Sequence, residues 1–171
     1  MKKTTALFTL IILFVILVIA LFSGGLRGGD AFQESTSEAM DIHFGSPVNM
    51  DSLSEVHECK DDICIEVFWN NDLNNIHCAT FEKRNNKYAY LYGYDFSQEE
   101  ITDKSGLNAY EVDNKSDVVY GIMPSDKKGV IINQNILSES FSFEANGTEY
   151  KCWYASVDGG YSAVEDVSYQ L

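Results

Sequence analysis

Positive charge is scarce in this sequence. Its 171 residues include 26 Asp and Glu but only 12 Lys and Arg. Three of the twelve, Lys2, Lys3 and Arg27, precede residue 30, where there is no acid, so residues 30–171 hold nine basic and 26 acidic side chains, a formal −17. That sign repels phosphate backbones and anionic headgroups, which excludes nucleic acid and the anionic lipid surface as partners of this part of the chain. It suits solubility in a crowded envelope, and it suits a cationic partner.

Histidine is sparser still: His43, His57 and His77 are the three. Nucleophilic hydrolysis needs a base, commonly histidine, held by a third group. His43 falls near a polar tether, His57 stands beside Glu58, and His77 alternates in a strand with Ala79 and Phe81. There is no Gly-x-Ser-x-Gly elbow, phosphate loop or dinucleotide fingerprint. The acid pairs Asp61-Asp62, Glu99-Glu100 and Glu165-Asp166 are neighbours in sequence, not the opposed carboxylates that glycoside hydrolysis uses. Zinc sites want tight ligand pairs such as C-x2-C, whereas four residues separate Cys59 from Cys64. Asp61-Asp62 and the loop Asn70–Asn75 offer hard oxygens for calcium, without the spacing of an EF-hand. The sequence therefore predicts no catalytic residue, no cofactor and no metal.

What is present begins with one long apolar run. Ala6 to Phe22 is seventeen residues with Thr9 its single polar member, about 26 Å of helix at roughly 1.5 Å per residue. With Thr4, Thr5 and Ser23 at the interfaces it matches a hydrocarbon core of about 30 Å. Lys2 and Lys3 precede the run and only Arg27 follows closely, which keeps the N-terminus in the cytoplasm and sends the remainder outward. The run is longer than the apolar region of a cleaved signal, and its exits are poor small-x-small sites, with Val18 at −3 for cleavage after Ala20. The reading is an uncleaved anchor at the cell membrane; the alternative is secretion after cleavage at Gly25. Phe8-Thr9-Leu10-Ile11 resembles the start of type IV pilins, but Leu7 and Ile12 stand where that pattern has glycine and glutamate, and Gly24-Gly25 and Gly28-Gly29 interrupt any stalk helix.

The chain then divides into residues 1–5 in the cytoplasm, 6–23 as signal anchor in the bilayer, 24–41 as flexible tether and 42–171 as an extracytoplasmic domain. The tether is Gly-, Ser-, Thr- and Glu-rich, too polar to bury a core. Ser46-Pro47 predicts the start of one short helix, with Val48, Leu53 and Val56 its buried stripe, ending near Cys59. Period-two alternation predicts strands over Ile63–Trp69, Ile76–Glu82 and Lys87–Tyr94, a meander. Further strands are predicted at Ala109–Val112, Val118–Met123 and Gly129–Ile132, at Phe141–Phe143 and Tyr150–Tyr154 around Asn146-Gly147, and at Val164–Tyr169. The fold class is α+β: predominantly antiparallel sheet with one short N-terminal helix, preceded by a transmembrane helix.

Two constellations stand out. Tyr88, Tyr90, Tyr92 and Tyr94 alternate along one strand, which predicts a row on one face, either cross-strand packing or an aromatic platform for a glycan or peptide. Cys59, Cys64, Cys78 and Cys152 all follow the anchor; an even count outside the cytoplasm predicts two disulfides with three possible connectivities, Cys59–Cys64 with Cys78–Cys152 being favoured because the second closes a long loop.

Val118-Val119-Tyr120-Gly121-Ile122, Val130-Ile131-Ile132 and the Trp153-Tyr154 strand resemble those of small membrane-anchored or secreted proteins of Gram-positive bacteria. That resemblance implies an anchor or signal followed by a helix and a sheet, and no activity. The expected function is a non-enzymatic envelope interaction or ligand-binding module, with a cationic protein or a glycan as partner. The alternative is an inhibitor or immunity-type protein that sequesters a basic partner, and a secreted enzyme ranks third.

Overall fold

Polar residues that tolerate left-handed backbone divide the chain into short strands. Asn85-Asn86 (φ 51° and 60°), Asn133-Gln134 (52° and 63°) and Asn146-Gly147 (50° and 72°) each place two consecutive residues at positive φ, the geometry of the tight hairpin turn that matches strand twist. The computed structural model describes residues 31–102, 110–113 and 116–170. The segments expected to be cytoplasmic (1–5) and anchor (6–23), the expected tether up to residue 30, and Ala109 lie outside the described residues. Among the described residues, no helix is long and apolar enough to cross a membrane.

In chain order the elements are α1 (Thr36–Phe44), β1 (Met50–Ser52), β2 (His57–Lys60), β3 (Ile63–Asn70), β4 (Asn75–Arg84), β5 (Lys87–Phe96) and a short α2 (Gln98–Thr102). They continue with β6 (Tyr110–Asp113), β7 (Val118–Pro124), β8 (Val130–Ile132), β9 (Ile136–Leu137), β10 (Glu139–Ala145), β11 (Thr148–Ser156), a 3-10 turn (Gly160–Ala163) and β12 (Val167–Tyr169). All pairings between these strands are antiparallel. The first sheet runs β1-β3-β4-β5, with β2 also on β3; the second runs β10-β11-β7-β6; the third runs β12-β8-β9. The mostly antiparallel architecture with helices agrees with the sequence reading.

Side-chain alternation sorts the residues into three cores. Ile65, Val67, Ile76, Cys78 and Phe96 of the first sheet meet Tyr120, Ile122, Phe143, Tyr150 and Cys152 of the second. The other face of the second sheet, with Val119, Met123 and Trp153, packs on Val130, Ile132 and Val167 of the third. The other face of the first sheet, with Cys64, Phe68, Ala79, Phe81 and Tyr90, is covered by Ala39 and Met40 of α1. β7 is therefore clothed on both faces, which is why it reads as a continuous apolar run.

The N-terminal helix is displaced from its expected place. It occupies Thr36–Phe44, beginning within the stretch read as tether (24–41) and running three residues past it, and the stretch from Ser46-Pro47 to near Cys59, read as helix, holds β1 and most of β2 instead. Ser35 caps the helix, its hydroxyl accepting from the Glu38 N–H at 3.2 Å, the first half of a capping box. Gly45 ends it with φ 70°, so Ser46-Pro47 follows a helix stop rather than opening a helix. The released chain then lies along the free edge of β3, β1 pairing with Phe68–Asn70 and β2 with Ile63–Ile65. Thr36 Oγ1 donates to the buried Glu66 carboxylate at 2.6 Å, and Ser52 Oγ does the same from β1.

Candidate interaction site

The tyrosine row does not form. Tyr90 pairs with Phe81 but Tyr92 pairs with Thr80, so the register steps by one residue at Leu91, a β-bulge. Because faces alternate with period two, the step sends the strand's two halves to opposite sides. Tyr88 and Tyr90 turn to the helix layer, and Tyr92 and Tyr94 turn to the core between the first two sheets. Tyr90 is buried, its ring 5.8 Å from Phe81 and 4.4 Å from the His43 ring of α1. Burial is the main cause that raises the Tyr92 and Tyr94 hydroxyls above their ordinary range, followed by Glu111 for Tyr92 and Glu100 for Tyr94.

The two halves of the favoured cysteine pairing differ in geometry. The four cysteines are present as thiols. Glu58 stands opposite Cys64 in the β2–β3 hairpin, so Cys59 points to the inter-sheet core while Cys64 points to the helix layer. The short Cys59–Cys64 link therefore fails on facing. Cys78 and Cys152 do face each other.

His77 is the histidine that finds a carboxylate. Its Nδ1 lies 3.2 Å from Asp95 Oδ1, yet off the line of a hydrogen bond, and neither ring nitrogen has a hydrogen-bond partner among the described residues. Asn70 Nδ2 donates to the same Asp95 oxygen at 3.0 Å. Burial pushes the Asp95 carboxyl up, but the His77 contact and charge together with the Asn70 amide outweigh it and hold the group below its ordinary value. A base and its orienting acid are thus adjacent, but His77 is almost fully buried rather than set in a cleft. His57 instead stacks flat on Phe141 at 3.6 Å.

Beside this pair the surface opens into a groove of about 320 Å³ between the end of α1, β1 and the β3–β4 turn. Phe44, Val48, Met50 and Leu73 supply its apolar lining, and Asn49, Asn70 and Asp72 its polar lining. Phe44 and Leu73 stay 48% and 58% exposed, and neighbouring Ile42 is 53% exposed. These are three of the four large hydrophobic side chains that stand out into solvent among the described residues. Asp41, Asp51 and Asp72 are tied to neutral partners: Asp41 accepts from the Val48 N–H, Asp72 from Asn49 Nδ2 and Asp51 from Asn71 Nδ2. Their charges remain available to a cation. Sequence reading missed this groove, although Leu73 amid Asn70-Asn71-Asp72 and Asn74-Asn75 was a visible anomaly.

Among the described residues no group of three or more His, Cys, Asp or Glu is placed to hold a metal ion. Asp61 and Asp62 line a second groove with Glu58 and Lys83, whose ammonium lies 2.8 Å from the Glu58 carboxylate. In comparison with known proteins, no family model, no curated protein and no solved structure matches the chain.

Proposed function

We propose that this chain is a membrane-anchored, extracytoplasmic and non-enzymatic interaction module that docks a basic polypeptide segment carrying an apolar side chain. The single observation behind this reading is the groove in which exposed Phe44 and Leu73 flank Asn49, Asn70 and Asp72. Large apolar side chains left out of three available cores mark an interaction surface. The −17 charge of residues 30–171 selects a cationic partner and speeds its approach. The proposed anchor, residues 6–23, would hold the groove outside the cell membrane. Sequestration of a basic enzyme, as an inhibitor or immunity-type protein does, is the form of this reading that the charge favours. The split of the tyrosines removes the support for a flat aromatic platform.

The test is fluorescence anisotropy of the full-length chain in neutral detergent micelles with three labelled peptides. One is Lys-rich with a central Leu, one has Glu for every Lys, and one has Ser for the Leu. Preferential binding of the first, weakened by salt and at least about tenfold by Phe44→Ser or Leu73→Ser, is the expected result. Equal binding of the acidic peptide, or indifference to both substitutions, would remove the groove from the proposal.

A further inference from the structure

Two sulfur atoms meet in the core between the first two sheets. Cys78 on β4 and Cys152 on β11 are both fully buried, 74 residues apart in sequence, with their Sγ atoms 3.6 Å apart. A disulfide needs about 2.05 Å, so closing the bond requires the two sulfurs to approach further. A third sulfur stands at the margin of the same core. Cys59 is the extra residue of an irregularity in β2, where Glu58 pairs with Cys64 and Lys60 with Ile63. It packs against the cluster that contains Cys78 and Cys152 and is only partly buried. Cys64 lies across the sheet in the helix layer and donates toward the Phe81 carbonyl at 3.6 Å.

We propose that Cys78 and Cys152 close an inter-sheet disulfide by thiol–disulfide exchange, with Cys59 as the thiol through which an external disulfide delivers the oxidation. The co-reactant is a small disulfide of the oxidised-glutathione class. The Cys59 thiolate attacks one of its sulfurs, forming a mixed disulfide and releasing one thiolate. The Cys152 thiolate then attacks the Cys59 sulfur and expels the second thiolate, leaving Cys59 joined to Cys152. Attack by Cys78 on the Cys152 sulfur completes the Cys78–Cys152 bond and frees Cys59. Two protein thiols lose two protons and two electrons, and one small disulfide gains them to become two thiols. Cys59 is partly buried whereas Cys78 and Cys152 are fully buried, so the first step falls to Cys59. Burial raises the Cys59 and Cys78 thiols above their ordinary range, so exchange is slow at neutral pH and accelerates in alkali. The closed bond, sealed in the core, is then shielded from reduction.

The experiment reduces the full-length chain in detergent micelles, adds oxidised glutathione, quenches samples with acid, and alkylates them in denaturant. Peptide mapping by mass spectrometry without reductant follows. The expected endpoint is one linkage, Cys78 to Cys152, with Cys59 and Cys64 alkylated. Cys59→Ser reaches the same endpoint about tenfold more slowly, because the first attack must await an opening of the core. An endpoint linkage containing Cys59 or Cys64, or four alkylated cysteines, would overturn the pairing. Closure of Cys59→Ser at the parent rate would overturn the role of Cys59 while leaving the pairing intact.

Discussion

Gly93 leaves room for His77: a Cβ at position 93 would stand 2.5 Å from the imidazole Nε2 and 2.6 Å from the Tyr90 hydroxyl oxygen. Both neighbours are buried, so neither side chain swings away into solvent. Gly93→Ala should destabilise the domain by about 1–3 kcal/mol through overpacking. Urea unfolding of the single variant and of Gly93→Ala combined with His77→Ala checks this. The second substitution should recover part of the loss, and strictly additive effects would show that the two side chains do not compete for the space.

Two carboxylates should respond to acid in opposite directions. Burial raises Glu66 above its ordinary 4.5, against the hydrogen bonds from Ser52 and Thr36. A carboxyl with a raised folded value binds its proton sooner in the folded state, so its penalty is complete at neutral pH and is relieved as pH falls toward 4.5. Unfolding of the wild type and Glu66→Gln between pH 7 and pH 4.5 should therefore shift in favour of the wild type as pH falls; parallel profiles would contradict it.

Asp95 behaves in the contrary sense. Its folded value lies below the ordinary 3.8, so the stability it contributes is present above that pH and is lost as pH falls through the folded value. Asp95→Asn should cost stability at pH 6 and progressively less below pH 4, measured as the difference in urea midpoint from the wild type.

Tyr90→Ala should act on stability. The ring lies against Phe81, His43 and Phe44 with almost no exposure, and its loss should cost about 3–5 kcal/mol. Leu73→Ser, at 58% exposure, should change stability by no more than about 0.5 kcal/mol. Thermal unfolding of the two variants side by side checks the contrast.

What the sequence disclosed follows from the range of the signals. The hairpin at Asn146-Gly147 was legible because two consecutive left-handed residues are a local demand. The Cys78–Cys152 contact was legible as a pairing preference, since facing strands of two sheets are where a long-loop link fits. The helix was misplaced although Ser35-Thr36-Ser37-Glu38 and Gly45-Ser46-Pro47 carry its start and stop; a proline after a polar residue serves either end of a helix, and only the glycine before it distinguishes them. The division of the tyrosines was not legible. The bulge at Leu91 is set by how β5 aligns with β4, a relation between two segments that neither contains. The groove was likewise hidden, because its lining comes from α1, β1 and a turn more than twenty residues onward.

The step at Leu91 also fixes what kind of change β5 can absorb. With that one residue removed, Tyr90 and Tyr92 would be successive residues of a regular strand opposite Phe81 and Thr80, and would still face opposite sides. The full-length strand paired without the step would instead gather all four tyrosines on one side, rotate Tyr92, Tyr94 and Phe96 out of the inter-sheet core and drive Asp95 into it, away from His77 and Asn70. The chemistry of β5 thus resides in a count of residues as much as in their identities.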